Sequence, residues 1–319
     1  MKLLPRDFIE TREGLIFAVV SAATEDGRAL AFLRYIPHHR GRRKLDTAEA
    51  NAFLREHHPH YLHYSHGLDS HLHGVPMTVV ATHHCPRRRV RELLQRQPRA
   101  PLEDRLRDLL SLLVDAGVPI EQLGVTGSLL IGQQHAESDL DLVVYDRAAF
   151  LRAQQAVGRF IARGLLQDLD ETAWDDAYRR RNCELSRAEF LRHERRKGNK
   201  GMIGGCKFDL ALVASRGGSD PEPGWRKAGR LSLQACVTDA TLAYDQPACY
   251  LVDHESVSEI YSFTHTYAGQ ARTGEWVEAC GELEVSPENR RRLVIGSSRE
   301  APGQYLRVLW GRNSASTVI

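Results

Sequence analysis

Apolar residues fall at Leu102, Leu106, Leu109, Leu110 and Leu113, the spacing that puts one stripe on one side of a helix. Pro101 suits the start of that helix and Gly117 its stop: proline presets the first helical φ, and glycine accepts the left-handed closing residue. The period then changes. Leu123–Thr126, Leu140–Tyr145 and Cys206–Val213 are short apolar runs that predict strands, the last opened by the turn Gly204-Gly205. Helical spacing returns over Arg147–Ala162, closed by Gly164, and again over Glu171–Arg181. Ser186, with Glu189 three residues on, is a capping box that opens a further helix.

Toward the N-terminus, Gly14–Ser21 and Arg28–Ile36 predict a hairpin around Glu25-Asp26-Gly27. A basic loop follows over His38–Lys44, then a helix over Ala48–His57 capped by Asp46 or Thr47. Val75–Thr82 predicts one strand, and the Arg-rich stretch Pro86–Pro101 a linker or partial helix. At the other end, Ser215–Gly224 contains Gly, Ser and Pro and almost nothing apolar, which predicts a linker. Beyond it, short β-like runs at Ser232–Val237, Cys249–Val252, Glu259–Tyr267, Glu275–Val285, Arg292–Gly296 and Tyr305–Leu309 have the rhythm of a small OB-like β-barrel. The expected class is α+β: a small α+β domain over 1–89, a central domain over 90–214, a linker over 215–224 and a β-rich domain over 225–319.

Composition adds exclusions. A formal net charge of +2 over 319 residues rules out a polycation, so any nucleic-acid contact must rest on local patches. Six cysteines without a CxxC pair suit reduced thiols. No uncharged apolar stretch reaches the ~18 residues that span a bilayer. The opening Met-Lys-Leu-Leu-Pro-Arg-Asp breaks its apolar run too early for a signal peptide. The expected location is cytoplasmic, with no membrane partner. His57, His58, His60, His63, His66, His71, His73, His83 and His84, with Cys85, form a dense segment that fits either a zinc site of no standard spacing or a polar, RNA-facing surface.

The sharpest chemistry lies in GVTGSLLIGQQHAESDLDLVVY, residues 124–145. A strand runs into Gly127-Ser128. Glycine there lets backbone approach a phosphate closely, and the Ser128 hydroxyl can bond the same phosphate. Asp139 and Asp141, two apart at the head of a strand, share one face. Two such carboxylates repel unless a cation lies between them, and hard oxygen ligands suit Mg²⁺ or Mn²⁺. A phosphate grip beside a metal grip is what phosphoryl or nucleotidyl transfer needs.

Gly-Ser, a short spacer, then Ser138 and Asp-x-Asp before an apolar strand resembles the DNA polymerase beta-type nucleotidyltransferase superfamily over about a third of the chain, Gly124 to Val213. The chain also resembles a group of uncharacterised, mainly archaeal proteins expected to be nucleotidyltransferases. The resemblance implies a core of mixed sheet with flanking helices and a third carboxylate on a neighbouring strand. Asp209, in Lys207-Phe208-Asp209-Leu210, is the residue that matches. It further implies two divalent ions held by Asp139, Asp141 and Asp209, an NTP substrate, and Asp209 as the base or its helper. Arg196 and Lys200, from the basic run His193–Gly201, and Lys207 are candidates for the triphosphate; the other reading of the run is a solvated helix end.

The expected reaction moves an NMP from an NTP to a hydroxyl and releases pyrophosphate. RNA is the expected acceptor, a tRNA end among the options, with cations from His38–Lys44 and Arg87, Arg88, Arg89 and Arg91. Tyr261, Phe263, Tyr267 and Trp276 are candidates for a base-stacking platform on the barrel. A small-molecule or protein acceptor, or a module that binds nucleotide without turnover, are the alternatives. Oligomeric state is not legible.

Overall fold

Alternation of buried and exposed side chains, interrupted by glycine turns, organises the chain around three sheets; a computed structural model describes residues 2–39, 41–135, 137–213, 224–297 and 301–311. Strands β1 (Phe8–Thr11), β2 (Ile16–Glu25) and β3 (Arg28–His38) begin the first sheet. The expected hairpin is present: Glu25 pairs with Arg28, and Asp26 (φ 49°) and Gly27 (φ 71°) both take the positive φ that a two-residue hairpin turn requires. His38–Lys44 is not a loop throughout, because the chain folds back as β4 (Gly41–Lys44) on β3. Its charged side chains suit an edge that must not recruit another strand.

Helix α1 (Thr47–His57) is capped by Asp46, whose carboxylate accepts the Glu49 N–H at 2.8 Å while Glu49 accepts the Asp46 N–H at 3.0 Å. Strands β5 (Leu62–Ser65) and β6 (Ser70–Pro76) follow. The single strand expected over Val75–Thr82 is broken at Pro76, which has no N–H for a ladder. A 3-10 turn over Met77–Val79 separates β6 from β7 (Val80–His84). The sheet order is β5-β6-β3-β2-β1-β7, with β4 beside β3.

The Arg-rich stretch is helical over its first part as α2 (Pro86–Leu94), whose Val90 and Leu93 are buried. All five leucines of the stripe are buried on α3 (Pro101–Asp115). Then come β8 (Leu123–Val125), the single turn α4 (Gly127–Leu130), β9 (Leu140–Val144) and α5 (Arg147–Ala162). Helices α6 (Glu171–Arg181) and α7 (Arg187–Lys197) precede the hairpin of β10 (Lys200–Ile203) and β11 (Cys206–Leu212). The second sheet runs β10-β11-β9-β8 and is mixed: β9 and β11 are parallel, the two outer pairings antiparallel.

The third sheet holds β12 (Arg226–Asp239), β13 (Ala248–Asp253), β14 (Glu259–Ser262), β15 (Trp276–Val285), β16 (Arg291–Ile295) and β17 (Tyr305–Val308). Pairing of β12 with both β13 and β15 closes five strands into a barrel, in the order β12-β13-β14-β16-β15. Strand β17 adds to β15 outside the ring. The architecture is thus α+β with mixed sheets and a closed five-strand barrel. Of the expected linker, residues 215–223 lie outside the described residues.

The chain forms two compact units. One takes the described residues of Met1–Tyr64, His71–Leu169 and Gly198–Arg216; the other takes those of Ser65–Ser70, Asp170–Lys197 and Gly217–Ile319. Among the described residues no helix is long and apolar enough to cross a membrane.

Candidate active site

Parallel pairing of β9 with β11 sets Asp209 directly beside Asp141. Asp139, two residues before Asp141, falls on the same face. Antiparallel pairing of β10 with β11 sets Lys200 opposite Asp209, and its Nζ lies 3.5 Å from Asp209 Oδ2. Lys207 Nζ lies 3.2 Å from Asp139 Oδ2. Four residues from three sequence segments therefore meet Asp141 at one end of the second sheet.

Strand β8 brings the glycine turn to the same place. The Thr126 N–H donates to the Asp141 carbonyl at 2.8 Å, and the chain then turns at Gly127 with φ 67°. A Cβ at Gly127 would run into the Asp141 carboxylate, so glycine is demanded twice, by backbone and by the carboxylate behind it. Ser128 is half-buried in α4, and its carbonyl accepts the Gln133 N–H at 2.9 Å. At four residues α4 is too short to carry a useful dipole, so any phosphate grip rests on the Ser128 hydroxyl and the open backbone at Gly127.

Enclosure pushes the Asp141 carboxyl above the ordinary carboxylate range, and the Asp209 charge pushes it further. Arg6 and Lys44 pull it down; Asp139 adds to the rise. A divalent cation would reverse the balance. The donors that face one another are carboxylate oxygens, a hard set that fits Mg²⁺ or Mn²⁺, and the glycine cradle keeps the space beside Asp141 clear. Asp139, Asp141 and Asp209 are the residues that would hold such ions.

Two features of the site have no motif in the sequence. Asn199 is buried, and its amide donates to Asp209 Oδ1 at 3.2 Å and to the Leu210 carbonyl at 2.9 Å, fixing the third carboxylate. It lies inside the basic run, where charge draws attention to its neighbours. The first segment of the chain also reaches the site: the Arg6 carbonyl accepts the Thr126 hydroxyl at 2.9 Å, and Leu4 packs on Val143, Tyr145, Ala211 and Val213. Ser138 shapes the approach to Asp139, its Oγ accepting the His135 N–H at 3.0 Å.

Other candidates fall elsewhere. Arg196 belongs to the second unit, where it donates to Glu275 at 2.7 Å and stacks over Trp310. Tyr261 and Tyr267 are buried in the barrel, and the Tyr267 hydroxyl is used on the Gln304 carbonyl, so neither offers a face to a base. Phe263 and Trp276 are half-buried. Much of the expected cationic surface is tied into the fold: Arg42 to Glu10, Arg43 to Glu49, Arg87 to Gln122 and Arg89 to the Leu129 carbonyl.

No family model matches the chain, and no solved structure matches it. It is similar to the Uncharacterized protein MJ1086 of Methanocaldococcus jannaschii, 33% identical over 338 aligned positions that cover 97% of this chain and 99% of that protein.

Proposed function

The chain belongs to the family of the archaeal protein MJ1086, and from its acid cluster we propose that it is a metal-dependent nucleotidyltransferase, moving an NMP from an NTP to an acceptor hydroxyl. The observation that carries this reading is the side-by-side register of Asp141 and Asp209, with Asp139 on the same face and two lysines among them. On this reading the second sheet is a polymerase beta-like core. The barrel, whose strand order and parallel β14–β16 pair suit it, is OB-like.

In the proposed reaction the acceptor oxygen bonds the α-phosphorus, its proton passes to Asp209, and the bond to pyrophosphate breaks with the electron pair leaving on pyrophosphate. Mg²⁺ or Mn²⁺, when bound, would supply charge neutralisation at the triphosphate and would lower the pKa of the acceptor hydroxyl. Asp139, Asp141 and Asp209 would hold the ions, and Asn199 keeps Asp209 aimed. Lys200 and Lys207, which neutralise Asp209 and Asp139, are the cations best situated to receive the triphosphate, while Gly127 and Ser128 take a phosphate oxygen. Arg196 is engaged by Glu275, so the triphosphate role rests on the lysines.

RNA is the proposed acceptor, supported by the exposed cations Lys44, Arg88 and Arg91 in the unit that carries the acids. The test is incubation with each α-³²P-labelled NTP, Mg²⁺ or Mn²⁺ and total RNA, beside an Asp139→Ala, Asp141→Ala variant. Metal-dependent label in a discrete RNA band, absent from the variant, is the expected result. Label in protein or small-molecule fractions keeps the transferase and overturns the RNA acceptor. Transfer that survives in the variant overturns the assignment of the acids.

A further inference from the structure

Nine histidines crowd into residues 57–84, and four of them have an evident structural task. His63 meets Glu25 at 3.1 Å, His83 meets Asp7 at 2.7 Å and His84 meets Glu10 at 3.0 Å. His73 is buried, accepting the Leu33 N–H and meeting Asn51. His58 and His60 differ. They flank Pro59 in the tight turn that follows α1, and they converge on Glu13, which lies in the turn between β1 and β2. One ligand atom from each of the three lies within 4.8 Å of the other two. Among the described residues no other trio of His, Cys, Asp or Glu comes that close; the acids at the strand ends are spread wider.

The trio is supported from beneath. The Tyr61 hydroxyl lies 3.2 and 3.3 Å from the two Glu13 carboxylate oxygens, and Tyr61 itself is fully buried, so the donor that aims the carboxylate cannot swing away. The Arg28 guanidinium donates to the His60 carbonyl at 3.1 Å, fixing the backbone that carries the second imidazole. Pro59 limits the turn between the imidazoles. Outer partners that orient ligands in this way are what metal centres use.

We propose that Glu13, His58 and His60 bind a transition-metal ion, Zn²⁺ foremost, with a fourth position open to water or an external ligand. Two imidazoles and one carboxylate are a borderline donor set, which selects Zn²⁺ over the Mg²⁺ that an all-oxygen set prefers. Tetrahedral Zn²⁺ with bonds of about 2.0–2.1 Å needs donor atoms roughly 3.3 Å apart. His60 and Glu13 are exposed and have room to close the remaining distance by side-chain rotation. The ion would clamp the β1–β2 turn to the turn after α1. This site is independent of the proposed transferase chemistry.

The experiment uses the full chain, stripped with chelator and dialysed, then titrated with ZnCl₂ in competition with a chromophoric chelator and with CoCl₂ for visible absorption. One tight equivalent is expected in the wild type and equally in an Asp139→Asn, Asp141→Asn, Asp209→Asn variant. His58→Ala with His60→Ala should weaken binding beyond the ~10–100-fold that loss of an outer partner costs. Glu13→Gln, which keeps an oxygen for Tyr61 and so the local fold, should weaken it about 10-fold or more. Absence of a tight equivalent in the wild type would overturn the proposal. So would unchanged affinity in the double-histidine and Glu13→Gln variants, or loss of the equivalent in the triple-aspartate variant.

Discussion

Acidification probes the packing around His193, which is 1% exposed on α7. Its Nδ1–H donates to the Glu189 carbonyl at 2.7 Å, and its Nε2 accepts the Val308 N–H at 3.1 Å. Both ring nitrogens are used by the neutral tautomer, and a second proton would be driven against an amide that already points at Nε2. Burial is the largest cause that pushes the imidazole down to about 4 from an ordinary 6.5; the bond to Glu189 opposes it, while Lys197 and Arg196 add to it. The folded value lies below the unfolded one, so the unfolded chain takes the proton first. Stability from the neutral ring is therefore complete above pH 6.5 and is lost as pH falls from 6.5 toward 4. A gap of roughly 2.5 units at ~1.36 kcal/mol each amounts to about 3 kcal/mol for this one residue. Urea unfolding of wild type and His193→Gln at pH 7.5, 5.5 and 4.5, followed by tryptophan fluorescence, isolates it. Trp310 lies 5.3 Å from the imidazole and reports locally. Wild type should lose stability with acid faster than the variant, carboxylate titration being common to both. Parallel losses, or an NMR midpoint for His193 at or above 6, would refute the reasoning.

Three further outcomes follow from particular contacts. Gly127→Ala should cost about 1–2 kcal/mol from left-handed backbone alone and, by displacing the Asp141 carboxylate, lower nucleotidyl transfer on the order of 100-fold; melting and initial rates measure the two effects. Asn199→Ala removes the donor to Asp209 from a buried site, so stability should fall by about 1–3 kcal/mol and kcat should drop while KM for the NTP changes little. In the barrel, Arg292 donates to the buried Glu284 at 2.7 and 2.9 Å. Glu284→Leu should cost about 3–5 kcal/mol in denaturant unfolding, and Arg292→Met in the same chain should recover most of that.

Local pattern located the elements whose signals are unambiguous. The leucine stripe of α3, the capping boxes at Asp46 and Ser186, and the hairpin turn at Asp26-Gly27 each carry local chemistry that sets local structure. Where sequence and structure part, a tertiary contact decides. Strand β4 forms because β3 runs on past its pairing with β6 and leaves Tyr35–His38 to be paired, which nothing within His38–Lys44 announces. Pro76 splits a run whose hydrophobicity is continuous. The same division holds at the acids. The motif names Gly127, Asp139 and Asp141, while the pairing of Asp141 with Asp209 is a matter of register between strands 68 residues apart in the chain. Asn199, Arg6 and Lys44 acquire their relation to the site only through the fold, and no spacing rule reaches them.

The N-terminal segment gives the site its second wall. Alternation on β9 and β11 puts Asp139, Asp141 and Asp209 on one face, and the same face continues into Val143, Ala211, Tyr145 and Val213. One end of that face must meet water and ligand; the other must be covered, because apolar side chains there would otherwise lie open. Leu4 supplies the cover, and two residues on, Arg6 takes positive φ, gives its carbonyl to Thr126 and brings its charge toward Asp141. Phe8, Ile16 and Tyr35 extend the contact by packing on Leu130 of α4, the turn that follows Gly127. The glycine turn is therefore pinned from one side by Asp141 and from the other by the first sheet. The geometry of the acids depends on residues 4–35 as directly as on the motif itself.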